Sequence, residues 1–209
     1  APLLQHLQHA GLSVAAPLTA NNGQSLLTLN DKPAQLAPRI VGTHPQPVTV
    51  AQCTAMGKAL ATLHLALKKY PLKRHNAHGL KWWQAEAKKA RAKMTAIEQL
   101  LLDTVLDDFE ETIEDFDDLP KGLIHGDLFR DNTLFDGDKL TAILDFSEAG
   151  KDYWLLDIAI TVNDFCSDWP NVSLNTDLYH AFLAAYQQVR PLTDDEHEVL
   201  PTFLAMAAT

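Results

Sequence analysis

Three oxygen-bearing side chains stand at intervals that could do chemistry together: Asp127, Asn132 and Asp145. The first two lie in His125-Gly126-Asp127-Leu128-Phe129-Arg130-Asp131-Asn132, and the third opens Asp145-Phe146 thirteen residues on. Phosphoryl transfer from ATP to an alcohol needs a carboxylate that accepts the hydroxyl proton. It also needs hard oxygen donors that hold a divalent ion such as Mg2+ against the phosphates, often only one or two of them from protein. These three residues supply that set. His-Gly-Asp with an Asn after four intervening residues fixes four positions, a match expected by chance in on the order of one chain in a thousand of this length.

The elements around these residues should present them. Leu123-Ile124 reads as a very short buried strand that delivers Asp127 into a loop. Thr133-Leu134-Phe135, a turn at Asp136-Gly137-Asp138, and Leu140 to Leu144 read as a β-hairpin. If Phe135 pairs with Leu140, Asn132 falls opposite Ile143 and Asp145 lies diagonally across from it. Both ligands would then share a face at roughly 7 Å, a span one ion can bridge.

Most of the remaining chain carries helical period. Leu3 to Ala10 is a short helix stopped by Gly11, and Thr49 to Tyr70 is a long one striped by Met56, Leu60, Leu63 and Leu67. Leu80 to Lys93 is basic. Asp103 to Asp118 holds nine acidic residues, yet Leu102, Leu106, Phe109 and Ile113 keep helical spacing, which predicts a docked helix with a solvated acidic face. Leu155–Phe165, Asp177–Val189 and a helix opened by the capping box Thr193-Asp194-Asp195-Glu196 complete the set. Between residues 12 and 42 the character changes. Ser13–Leu18 and Ser25–Leu29 read as strands broken by Asn21-Asn22-Gly23, and Gln35–Val41 as a third strand with Pro38 at its edge.

Composition narrows the classes. The 209 residues are 46% hydrophobic and 21% charged, ordinary for a globular protein, and the formal charge is −10. That balance argues against a general nucleic-acid or anionic-membrane partner. Two cysteines make no disulfide scaffold, and neither a membrane-spanning run nor signal-peptide features are present, so a cytoplasmic setting is the expectation.

The segment 122–166 resembles the aminoglycoside phosphotransferase/choline kinase-like branch of the protein kinase-like fold. There, His-Gly-Asp-x-x-x-x-Asn and a later Asp take the place of the two catalytic motifs of protein kinases. Within that branch the loop, Leu156-Asp157-Ile158-Ala159 and Val162-Asn163-Asp164-Phe165-Cys166 are similar to the bacterial homoserine kinases built on this fold. Ala59-Leu60-Ala61-Thr62-Leu63-His64 fits their first large-lobe helix. The resemblance implies an α+β, two-lobe fold with a mostly helical large lobe. Residues 1–42 would be the remnant of a small nucleotide-binding lobe, and 43–209 the catalytic lobe. It implies Asp127 as catalytic base, Asn132 and Asp145 as Mg2+ ligands, and Asp157 as a buried buttress of the catalytic loop. ATP and a small hydroxyl substrate would be the partners, with L-homoserine, on the way to threonine, as the acceptor. Choline, an aminoglycoside or a sugar are the alternatives, and a non-catalytic nucleotide-binding module is a second. The glycine-rich loop, strand lysine and helix glutamate of such enzymes are not seen ahead of Ala1, so a truncated small lobe is expected. The hinge contacting adenine would lie near Pro38, Arg39 and Ile40.

Other residues admit plainer roles. His125 is expected to shape the loop by bonding its backbone. Arg130 could bind a substrate carboxylate in bidentate fashion or pair with Asp131. Glu148 and Asp164 could meet a substrate ammonium, or be solvated and capping residues. His64 and His78 lack partners at metal-ligand spacing. Trp82 and Trp83 read as packing residues, and Cys53 and Cys166 as buried thiols.

Overall fold

The structure is a computed structural model and describes residues 2–168 and 171–209. Its centre is built by two helices. In α2 (Val50–Leu67), Thr49 Oγ1 accepts from the Gln52 N–H at 3.1 Å, and Gln52 Oε1 accepts from the Thr49 N–H at 3.0 Å. This capping box satisfies N–H groups the helix cannot satisfy itself. Its stripe of Met56, Leu60, Leu63 and Leu67 is buried, as the spacing predicts. The second helix, α5 (Trp154–Phe165), is mostly apolar and buried accordingly, its polar residues being Asp157, Thr161, Asn163 and Asp164.

The other helices cover this pair. α1 (Pro2–His9) buries Leu7, and α3 (Leu80–Ala90) continues into a 3-10 turn at Arg91–Lys93. α4 (Ala96–Asp115) buries Leu102, Leu106 and Phe109, while Asp107, Asp108, Glu111, Glu114 and Asp115 face water, so the acidic run is a solvated face. α6 (Thr176–Val189) packs closely on α2, and α7 (Asp194–Ala207), opened by the Thr193–Glu196 capping box, packs on α5 and α4. No helix among the described residues is long and apolar enough to cross a membrane.

The strands form antiparallel pairs: β1 (Leu27–Leu29) with β2 (Lys32–Ala34), β3 (Lys121–Ile124) with β6 (Gly150–Tyr153), and β4 (Thr133–Asp136) with β5 (Lys139–Ile143). A two-residue pair, β7 (Ser167–Asp168) with β8 (Ser173–Leu174), follows α5.

Three expectations need correction. Gln35–Val41 forms no strand. The pairing in that region goes instead to β1 and β2, joined by Asn30-Asp31, whose φ values of 51° and 60° make a hairpin turn suited to strand twist. Ser13–Leu18 contributes only a parallel bridge, Val14 to Ile143, because its neighbour is the edge of the β4–β5 hairpin rather than a strand nearby in sequence. The hairpin register is the third. Phe135 does pair with Leu140, but Leu134 pairs with Ala142, so Thr141 is an extra residue and its Oγ1 donates to the Leu134 carbonyl at 3.1 Å. Beyond this bulge the register slips by one, and Thr133 rather than Asn132 stands opposite Ile143.

Candidate active site

Strand β3 runs inward from exposed Lys121 to buried Ile124, and the chain turns sharply at Gly126, whose φ of +79° favours glycine and where a Cβ would sit a tight 3.2 Å from the Glu148 carbonyl oxygen. The turn exposes the next residue, Asp127, at the site's edge. His125 is buried. Its Nε2–H donates to the Leu144 carbonyl at 2.7 Å and its Nδ1 accepts from the Asp127 N–H at 3.3 Å, so the neutral Nε2–H tautomer fits both partners. That buried ring ties the loop to the residue that follows β5.

Asn132 closes a 3-10 turn, Arg130–Asn132, and donates from Nδ2 to both the Asp127 carbonyl (2.7 Å) and the Asp127 Oδ2 (2.9 Å). Its amide oxygen therefore remains an available acceptor. The register slip sets Asn132 against Leu144, whose N–H bonds its carbonyl at 2.8 Å. Asp145 follows directly, in the left-handed region at φ 45°. A non-glycine there is strained, and Asp is among the residues that tolerate it best. The bulge, rather than the simple diagonal expected from an unbroken ladder, sets Asn132 beside Leu144, with Asp145 the next residue along.

The electrostatics suit a cation. Partial burial raises the Asp127 carboxyl above its ordinary range; the bond from Asn132 opposes this, and the charges of Asp131 and Asp145 add to it. Asp145 is held below its range by the bonds from Ser147, whose N–H reaches Oδ1 at 3.0 Å. Among the described residues no cluster of three or more His, Cys, Asp or Glu is arranged to hold an ion by itself. The donor set of one amide oxygen and one carboxylate instead fits an ion that takes its remaining ligands from phosphates and water. Beside Asp145 a cavity of about 430 Å³ is walled by Leu3, Leu4, Ala15, Gln35, Ala37 and Phe146, among others. Its lining from the thirties is Gln35 and Ala37. Pro38 and Arg39 are exposed and Ile40 half-buried.

Behind the loop lies a buried polar chain that sequence reading did not assemble. Asp157, fully buried, accepts from the His125 N–H (2.8 Å), the Gly126 N–H (2.9 Å) and His64 Nε2 (3.1 Å). His64 Nδ1 is 2.7 Å from the Tyr186 hydroxyl, which accepts from Arg190 Nη1 at 3.1 Å. Arg190 in turn forks onto Glu196 at 2.7 and 2.8 Å and lies over the Trp154 ring. Burial lowers His64 below its ordinary value, which keeps it neutral and leaves Nε2–H to donate. Burial alone would raise Asp157, but the bonds from His64 and the Gly126 N–H, with the neighbouring imidazoles, hold it below its range. The sequence signal for this chain was a histidine and an aspartate on helices that are otherwise apolar, which demands partners without naming them.

The remaining charged candidates have partners other than the Asp127 carboxylate. Arg130 pairs with Asp164, not Asp131: Nε and Nη2 each reach its carboxylate at 3.1 Å. Glu148 turns toward the 71–79 loop, with His78 Nδ1 at 3.3 Å and Arg74 Nη2 at 3.7 Å. Trp83 packs edge-on against Phe109, whereas Trp82 is partly exposed beside His78. Cys53 and Cys166 are buried free thiols that share a hydrogen bond, their sulfurs 4.0 Å apart.

Comparison with known proteins shows the family and the fold. The chain is 38% identical over 214 residues to a homoserine kinase of Ralstonia pickettii, and 39% identical over 206 residues to one of Methylobacillus flagellatus. In both cases 99% of this chain is aligned, and it spans 64% of the relative's length. Among solved structures, a microcompartment-associated aminopropanol kinase superposes with a TM-score of 0.73 at 23% identity, covering 99% of this chain and 70% of that one. An amicoumacin kinase solved with AMP-PNP and Ca2+ superposes at 0.69 and 21% identity, covering 99% and 65%. Both show the aminoglycoside phosphotransferase-like fold, an α+β architecture rich in helix with small sheets. Residues 1–196 match a single family throughout, with the loop from His125 to Asn132 inside the match, and the chain belongs to the phosphotransferase enzyme family.

Proposed function

We propose that this chain carries the catalytic centre of an ATP-dependent kinase that phosphorylates the hydroxyl of a small molecule, with L-homoserine as the acceptor and O-phosphohomoserine as the product. The observation that carries the reading is the half-buried Asp127 carboxylate, held by Asn132 and accompanied by Asp145, on a loop whose backbone is bound from behind by Asp157. The acceptor hydroxyl oxygen attacks the γ-phosphorus and its proton passes to Asp127. The bond from the γ-phosphorus to the bridging oxygen breaks, and that oxygen leaves with ADP. Asp127 also aims the hydroxyl, so position supplies much of the rate. Asn132 and Asp145 would hold Mg2+, which when bound neutralises charge on the phosphates.

Several features support the assignment of parts. Residues 1–42 are read as belonging to the nucleotide-binding side and 43–209 as the catalytic lobe, because Leu3, Leu4, Ala15, Gln35 and Ala37 wall the cavity that ends at Asp145. That cavity, rather than Pro38–Ile40 themselves, is where a nucleotide base would rest. Homoserine as acceptor is supported by the similarity to homoserine kinases, and a cytoplasmic location by the two free buried thiols.

The test is ADP release from the full-length protein with homoserine, choline and kanamycin as competing acceptors. Homoserine should be preferred, and Asp127→Ala should lower turnover by at least a thousandfold while circular dichroism and nucleotide binding stay near those of the wild type. Near-normal turnover in that variant overturns the assignment of the base. Preference for choline or kanamycin overturns the acceptor alone.

A further inference from the structure

Helix α5 meets the loop that carries Asp127 at two places. In its first turn Asp157 accepts the N–H groups of His125 and Gly126, two residues and one residue before Asp127. Near its other end Asp164 accepts the Arg130 N–H at 2.6 Å and the Arg130 guanidinium through Nε and Nη2 at 3.1 Å each. Seven residues separate the two aspartates, close to two helical turns, so both lie on one face and about 10 Å apart along the axis. The loop from His125 to Arg130 spans that gap, with Asp127 between its fixed ends.

The second hold reaches Asn132. Arg130 begins the 3-10 turn that ends there, its carbonyl accepts from Thr133 Oγ1 at 2.8 Å, and the Asn132 amide lies directly on Asp127. A carboxylate in the last turn of a helix is disfavoured by the carbonyl end of the helix dipole, so helix stability does not account for Asp164. Its bonds to Arg130 do.

We propose that Asp164 and Arg130 are positioning residues that act through the loop, fixing the distance between Asp127 and Asn132 from the loop end opposite the one that Asp157 holds. They would not contact the acceptor as a carboxylate or ammonium site. The inference rests on the phosphotransfer reading. It departs from a direct contact even though Arg130, Asp131 and Asp164 border a cavity of about 390 Å³ with His44 and Gln46. In that cavity both charges of the ion pair are already spent on each other.

The experiment uses the full-length protein with Asp164→Ala, Asp164→Asn and Arg130→Lys. Asp164→Ala should lower kcat by ten- to a hundredfold, the loss that misplacement by about 1 Å brings. KM for ATP and for the acceptor should stay within about threefold. Asp164→Asn keeps an oxygen for the Arg130 N–H and should recover much of the rate. Arg130→Lys keeps the backbone bond but loses the planar fork, and should fall between. Amide hydrogen exchange gives a readout independent of turnover: the Arg130 and Asn132 N–H groups should exchange at least tenfold faster in Asp164→Ala, while those of His125 and Gly126 keep their protection. A rise in acceptor KM at unchanged kcat overturns the proposal in favour of direct contact, and unchanged exchange at Arg130 overturns it outright. If the wild type releases no ADP with any alcohol, the phosphotransfer reading fails, and exchange still decides whether Asp164 fixes the loop.

Discussion

Replacing Asp157 by Asn changes few atoms and should nevertheless be costly. Three donors converge on this fully buried carboxylate: the N–H groups of His125 and Gly126 and the His64 imidazole. An amide offers one acceptor oxygen. Placed where Oδ2 stands, it keeps His125 and His64, but then its NH2 faces the Gly126 N–H and both donors are left unpaired. Each buried unpaired donor costs about 1–3 kcal/mol, so the two together should destabilise by roughly 2–6 kcal/mol. The opposing effect is relief of a buried charge, which can make such replacements neutral or favourable. Here the direction of the Asp157 shift decides: despite burial its carboxyl lies below the ordinary value, so this fold binds the ionised form better than a neutral one. A domain stable by about 5–15 kcal/mol would survive the loss with its loop loosened. Urea unfolding followed by tryptophan fluorescence measures the first quantity, and amide exchange at Gly126 measures the second, which should rise at least tenfold. A loss below about 1 kcal/mol with Gly126 still protected would refute the accounting of donors.

Two further outcomes follow from the same packing. Burial keeps the folded pKa of His64 below that of the unfolded chain, so between the two values the unfolded state binds more protons. The stability this contributes is complete above about pH 6.5 and declines as pH falls below it, by at most about 1.4 kcal/mol per pH unit. The stability gap between wild type and His64→Gln should therefore narrow as urea unfolding is moved from pH 7 to pH 5, and a gap independent of pH would contradict a buried neutral imidazole. Gly57 is where α2 and α6 meet most closely, and a Cβ there would come 2.2 Å from the Phe182 carbonyl oxygen. Alanine favours helix by about 1 kcal/mol over glycine, but the helices would have to part. Gly57→Ala should cost about 2 kcal/mol net and lower Tm by roughly 4–8 °C in a thermal scan, and an unchanged Tm would show that the contact yields freely.

What could be read in advance divides by how far apart in sequence the partners lie. The candidate set His125, Asp127, Asn132 and Asp145 could be drawn from the chain because phosphoryl transfer constrains residue types at short, fixed spacing on one loop and one hairpin. The helices at 50–67, 154–165 and 194–207 were legible because their apolar residues repeat locally, and the last also because its capping box is local. The hairpin register was not, since nothing about Thr141 itself announces that it will be the extra residue. Its displacement decides whether Asn132 meets Ile143 or Leu144. The Asn30-Asp31 turn was also missed, because it carries the required left-handed backbone without the glycine that usually signals it.

The larger omission is of another kind. His64 meets Asp157 across 93 residues and Tyr186 across 122, and Arg130 meets Asp164 across 34. A polar side chain on an apolar helix face predicts that a partner exists, since an unpaired one would be too costly, but only the assembled fold supplies its identity. That limit falls where function is decided. Asp127 has the same identity in an unfolded chain. What would make it a base is a loop held at His125 and Gly126 by one carboxylate and at Arg130 by another, both on α5. Asp157 is itself held by a hydrogen-bonded chain that ends at Glu196. Substitutions along that chain should therefore lower kcat in proportion to how far they free the loop, even at residues that never approach the substrate.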